Sequence, residues 1–199
     1  MSVLMIMEAP GATTSEYDRA NEIMGIHGDD DAPDGLVQHV AASNGDGIVI
    51  VDLWESEEAL GRFFEERLGA ALEQAGLGGS AKPRILPVHN SVTGQGKEAG
   101  ILMLIEIDDL DTDGYDAMAS NMDAHTGDAS HGPWVSHTAA SKEGGGILVA
   151  DLWESAEAFG KFAEEQIGPA AAEQGLGPIE PRLIPVHNRI KGKAAEAPA

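Results

Sequence analysis

The stretch Asp52-Leu53-Trp54-Glu55-Ser56 returns as Asp151-Leu152-Trp153-Glu154-Ser155, and most of the chain returns with it. Gly61-Arg62-Phe63 recurs as Gly160-Lys161-Phe162, Gly76-Leu77-Gly78 as Gly175-Leu176-Gly177, and Pro87-Val88-His89-Asn90 as Pro185-Val186-His187-Asn188. The period is about 100 residues, the size of a small domain and longer than the roughly 20–50 residues of a solenoid unit. The chain therefore reads as two fused homologous repeats, residues 1–90 and 100–190. The polar segment 91–99 joins them, and 191–199 reads as a flexible tail.

Outward from the quoted stretch, one repeat resolves into six elements. Residues 48–54 form an apolar strand, and Asn44-Gly45 before it is a strong hairpin signal that pairs it with a strand over 35–42. Ser56, followed by Glu57 and Glu58, opens a helix whose Leu60, Phe63, Phe64, Leu68 and Leu72 make one apolar stripe, and Gly76 stops it. Residues 1–8 read as a strand, 16–26 as a helix capped by Thr13 or Ser15, and 84–89 as a fourth strand. The second repeat predicts strands near 101–107, 133–140, 146–153 and 182–187, with helices near 112–125 and 155–174. The order β-α-β-β-α-β is the ferredoxin-like unit, an α+β fold. Both helices cover one sheet face, so the other face must be buried, and the economical partner is the second repeat. Two such sheets joined edge to edge close an eight-stranded barrel without free edges.

The strand-Asp-Leu-Trp-Glu-Ser motif, followed by an amphipathic helix with Phe63 and Phe64 or Phe159 and Phe162, resembles the dimeric α/β-barrel superfamily. The resemblance is in particular to its antibiotic-biosynthesis-monooxygenase-like members, and it spans nearly all of both repeats. The resemblance implies an intramolecular pseudo-dimeric α/β barrel with a small-molecule pocket between sheet and helices, and it leaves room for a further homodimer. It specifies the fold far better than the reaction, because such folds host several chemistries.

Composition narrows the function classes. The hydrophobic fraction of 42% and charged fraction of 23% fit a globular chain with a real core. Without cysteine there are no disulfides, thiolate metal sites or cysteine nucleophiles. The net charge of −22 is spread evenly, with 17 acidic and 6 basic residues in 1–98 and again in 99–199. Such a surface should repel nucleic acid and anionic membranes, which need a basic footprint. No apolar run approaches the roughly 18 residues of a membrane span, and the start lacks a signal-peptide pattern, so a cytoplasmic location is expected. Gly144-Gly145-Gly146 lies in a hairpin rather than before a helix, and Gly-x-Ser-x-Gly is absent, which argues against a nucleotide cofactor or a hydrolase elbow. No cofactor is expected.

Six histidines recur as pairs: His27/His125, His39/His137 and His89/His187. With Asn44-Gly45 as a two-residue turn, His39 is diagonal to Asp52 on one sheet face, which Trp54 shares. An imidazole oriented by a carboxylate is a base useful near neutrality. His39, Asp52, His137 and Asp151 are therefore the candidate catalytic residues. The bland alternative makes Asp52 a local tether and His39 a satisfied core residue. One extra residue in the second hairpin leaves the register of His137 and Asp151 open.

Tyr17, His27, Trp54, Tyr115, His125, Trp134 and Trp153 are the candidate substrate-binding residues. The tyrosines lie on the first helix of each repeat, His27 and His125 end those helices, and the tryptophans are wall or stacking groups. His125, His131, Asp123 and Asp128 match no established metal-ligand spacing, so no metal is assigned. His89-Asn90 is expected to bond across the seam between repeats. The resemblance points to a cofactor-independent monooxygenase, or a related isomerase or cyclase, on a small aromatic or polyketide-like molecule. The alternative is a non-catalytic ligand-binding, stress or assembly protein on the same barrel.

Overall fold

A computed structural model describes residues 1–77, 83–122 and 132–194. Its elements are β1 (Val3–Pro10), α1 (Thr14–Met24), β2 (Leu36–Ala42), β3 (Gly47–Trp54), α2 (Glu57–Phe63), α3 (Gly69–Ala75) and β4 (Arg84–Thr93). The second repeat supplies β5 (Ile101–Ile107), α4 (Thr112–Ser120), β6 (Ser136–Ser141), β7 (Ile147–Trp153), α5 (Ala156–Phe162), α6 (Gly168–Glu173) and β8 (Arg182–Lys191). The hydrogen-bonded strand order β1-β3-β2-β8-β5-β7-β6-β4 closes on itself as a barrel. The ferredoxin-like order and the pseudo-dimeric α/β barrel expected from the repeats are both present. Among the described residues no helix is long and apolar enough to cross a membrane.

Two compact units divide the chain, and they do not follow the repeats. One is Met1–Pro87 together with the chain from Pro185, and the other is Val88–Ile184. In the first unit β1 pairs with β3 and with the start of β4, and β2 pairs with β3 and with β8 from Val186 to Lys191. In the second, β5 pairs with β7, β7 with β6, and β6 with β4 from Val88 to Thr93. Each long last strand therefore serves two units. β4 also runs four residues past the predicted strand end, into the segment read as linker.

Local sequence explains the first helix. Thr13 caps α1 and accepts from the Glu16 amide, while the Glu16 carboxylate accepts from the Thr13 amide, a complete capping box. Gly25 in the left-handed region ends the helix at Met24, two residues earlier than expected, so His27 lies beyond it. The long second helix of each repeat contains a π-helical turn, Phe64–Leu68 and Ala163–Ile167. The wider turn rotates Phe64 off the expected apolar stripe, leaving it 44% exposed, while Phe63 and Leu68 stay buried.

In the first unit Met5, Met7, Ile50, Trp54, Tyr17, Leu60 and Phe63 belong to one core between sheet and helices. Leu4 and Ile6, on the other face of β1, are also buried, as closure of the sheet requires. The second unit repeats this core with Met103, Ile105, Tyr115, Trp134, Trp153, Phe159 and Phe162.

Candidate functional site

Strand pairing puts the first histidine–aspartate pair together more directly than a two-residue Asn44-Gly45 turn would. His39 stands opposite Asp52, with Ala41 opposite Ile50, a register two residues from the expected one. The Ser43 hydroxyl donates to the Gly47 carbonyl and accepts from the Gly45 amide, and Asn44 accepts from the Asp46 amide. These side-chain bonds hold a longer turn. Because the shift is two, the same side chains keep the same face, but the diagonal neighbours become direct ones. In the second unit the extra residue is absorbed by the turn, and His137 faces Asp151.

Each pair is part of a longer polar chain. His39 Nδ1 lies 2.7 Å from Asp52 and its Nε2 lies 2.7 Å from the Tyr17 hydroxyl. Asn188 Nδ2 donates to that hydroxyl at 2.8 Å. In the second unit His137 Nδ1 lies 2.8 Å from Asp151, its Nε2 lies 2.5 Å from the Tyr115 hydroxyl, and Asn90 donates to the hydroxyl at 3.2 Å. A carboxylate only accepts, so a neutral imidazole donates through Nδ1 and accepts the tyrosine proton at Nε2. Asp52 and Asp151 are 3% and 4% exposed, and His137 is 5% exposed.

Burial holds both phenols protonated. Desolvation pushes the Tyr17 and Tyr115 hydroxyls above the usual tyrosine range, reinforced by the nearby Asp52 and Asp151 charges. The asparagine hydrogen bonds pull the other way and are outweighed. Each hydroxyl is thus a neutral donor toward the histidine. The Tyr17 oxygen has two asparagine partners, Asn188 and Asn21, whereas the Tyr115 oxygen, after Asn90 has donated to it, keeps one lone pair for a further partner.

The first set lines an apolar cavity of about 60 Å³ with Met5, Met7, Met24, Trp54, Phe63 and Leu68. The second lines one of about 50 Å³ with Met103, Met118, Met122, Trp134 and Phe162. Tyr17, Trp54, Tyr115 and Trp134 line the two cavities, with both histidine–aspartate pairs. Trp153 packs against Trp134, Phe159 and Phe162 in the core and does not line the cavity. His27 is exposed, its amide bonded to Asp31, and it is not part of the cavity. His125, His131, Asp123 and Asp128 lie outside the described residues.

His89-Asn90 bonds across the seam between the repeats, as expected. His89 pairs with Asp116 at 2.7 Å and packs edge-on against Tyr115, while Asn90 is the Tyr115 partner. His187 pairs likewise with Asp18 at 2.8 Å beside Tyr17. The asparagines are the site residues that sequence reasoning missed, although the repeated Pro-Val-His-Asn marked their positions.

No protein-family model matches the sequence, and no curated protein matches it. Solved structures do. A candidate monooxygenase from Lactobacillus acidophilus NCFM superposes with a TM-score of 0.70 at 12% identity, over 96% of this chain and 96% of its own. An anthrone oxidase-like protein reaches 0.56 at 13% identity, over 100% and 96%. A ferredoxin fold protein related to antibiotic biosynthesis monooxygenases, from Listeria monocytogenes 4b F2365, reaches 0.52 at 12%, over 94% and 95%. The chain shares the ferredoxin-like barrel fold of these structures. The monooxygenase-like superposition spans both repeats, so the fusion seen in the sequence is matched along the whole length.

Proposed function

We propose that this chain is a cofactor-independent monooxygenase-like enzyme, or a related isomerase or cyclase, acting on a small aromatic or polyketide-like molecule. The observation that supports it is the Asp–His–Tyr–Asn chain at the wall of an apolar cavity, hydrogen-bonded throughout in the first unit and repeated in the second with His137 at ion-pair distance from Asp151. A substrate proton passes to the remaining lone pair of Tyr115, or to Tyr17 once the substrate displaces the Asn21 amide, as the phenol proton moves to His137 or His39 Nε2. Asp52 or Asp151 then stabilises the imidazolium. For an activated methylene, the carbanion so formed takes up dioxygen, and the resulting hydroperoxide loses water to leave a carbonyl. Without dioxygen uptake, the same carbanion rearranges or closes a ring. The unbranched Met5, Met7 and Met24 side chains let the first cavity widen around a flat ligand.

Anthrone, the substrate type suggested by the anthrone oxidase-like structure, is the first probe, with oxygen uptake as the measurement. The double variant His39→Ala/His137→Ala should lose about 100- to 10,000-fold in rate. The two unpaired buried carboxylates should together cost about 2–6 kcal/mol, so the melting temperature is measured alongside the rate to show that the double variant is still folded. Full turnover in a folded double variant rejects histidine chemistry. The small volume of both cavities favours a second reading, a non-catalytic ligand-binding protein, should no flat aromatic probe be turned over.

A further inference from the structure

The His137 cavity adjoins a larger space. A groove of about 390 Å³ lies beside it, and Ile105, Ile167 and Ile179 line both. Ile105 comes from β5, Ile167 ends the π-helical turn after α5, and Ile179 follows the glycine-rich turn at Gly175-Leu176-Gly177. Beyond these three the groove is walled by Phe159, Ala171, Ala172, Leu176 and Pro178, and no charged side chain lines it.

Size decides what the two spaces can do. The space of about 50 Å³ at His137 is about a third of the ~150 Å³ engineered cavity that holds benzene. A ring whose edge meets His137 must therefore extend into the neighbouring groove. The groove falls inside the ~300–1,000 Å³ range of small-molecule sites. A π-helical turn is costly and marks functional positions more often than chance. Here it delivers Ile167 to the junction of the two spaces, and Leu68, ending the first repeat's π-helical turn, likewise lines the cavity of its own unit.

We infer that the groove is a hydrocarbon subsite of the second unit. The reactive edge of an amphiphilic phenol-like molecule meets Tyr115 and His137, its uncharged apolar portion lies along α5 and α6, and Ile167 and Ile179 form the gate between them. This rests on the acid/base reading for the polar end only. The groove itself selects for neutral, extended, apolar substituents.

The test uses the full chain with isotope-labelled isoleucine methyls, titrated with phenol, 4-butylphenol and 4-octylphenol. Ile105, Ile167 and Ile179 should shift with the alkylphenols, and affinity should rise about fourfold per methylene, the equivalent of ~0.8 kcal/mol each. Ala172→Trp, an exposed helix position on the groove wall, should abolish that chain-length dependence, with the milder Ala172→Leu reducing it if the tryptophan variant fails to fold. Equal affinity for phenol and 4-octylphenol, or shifts confined to the Ile48 and Ile50 methyls of the first unit, overturns the subsite. An unchanged chain-length dependence in folded Ala172→Trp overturns it too. His137→Ala separates the two ideas: chain-length dependence retained with turnover intact rejects the acid/base reading and keeps the subsite.

Discussion

Tyr17 and Tyr115 are the only tyrosines of the chain, and both hydroxyls are buried in the polar chains described above. Burial raises each phenol above its unfolded value of about 10, Tyr115 more than Tyr17. For a group whose folded pKa is raised, the stabilising contribution is complete below the unfolded pKa and disappears as pH climbs through the folded one. The native protein should therefore show no tyrosinate absorbance at pH about 10, where free tyrosine is half ionised. Its urea midpoint should decline above that pH, and Tyr17→Phe/Tyr115→Phe should flatten the decline. Tyrosinate appearing at pH about 10 with the fold intact would contradict the burial of these hydroxyls. The histidine–aspartate pairs were legible in the sequence because strand alternation fixes a face even when register is uncertain. The tyrosine and asparagine links were not legible, since they join residues 22 and 171 positions apart, across elements whose pairing no local pattern specifies.

At the scale of elements, the first hairpin shows what local chemistry can hide. Asn44-Gly45 reads as a tight turn, yet Ser43 and Asn44 satisfy the turn backbone with their own side chains, and the register moves by two. The π-helical turns were equally invisible, because the apolar spacing around Phe63 and Phe64 fits an unbroken helix until packing chooses otherwise. The strand–helix junction at Gly35 makes a sharper test of how tightly these elements meet. Gly35 has φ +87°, and a methyl group there would lie 2.4 Å from the Ala59 methyl at the start of α2. Gly25, with φ +67°, has nothing within 4 Å of the same position. The left-handed conformation alone costs about 1–2 kcal/mol for a non-glycine residue, and overpacking adds about 1–3. Urea denaturation should thus show Gly25→Ala losing about 1–2 kcal/mol and Gly35→Ala roughly 2–5. Equal losses would mean that α2 moves away from Gly35 at little cost.

At the scale of the whole molecule, the boundaries of the repeat and those of the compact units differ, and only the first were legible. Self-similarity in sequence locates the repeated segment, but a strand's hydrogen-bond partners depend on how the closed sheet distributes its edges. The first unit takes its last strand from Pro185 onward, where Gln38, His39, Val40, Ala41 and Ala42 pair with Lys191, Ile190, Arg189, Asn188 and Val186. The same segment supplies Asn188 to Tyr17, and the Lys191 amide donates to Asp29. Ending the chain after Ile184 should therefore damage the unit formed by the first 87 residues, far away in sequence. It would expose Val40, Ala41 and Ala42, each at most 1% exposed in the intact protein, along an unpaired edge, a template for aggregation. The expected result is a truncated chain that aggregates or loses near-ultraviolet dichroism, and that a synthetic peptide of residues 182–194 rescues when added in trans. Cooperative unfolding of the truncated chain at the full-length melting temperature would show that the first unit closes without this strand, and the Tyr17 site would then have to assemble without Asn188.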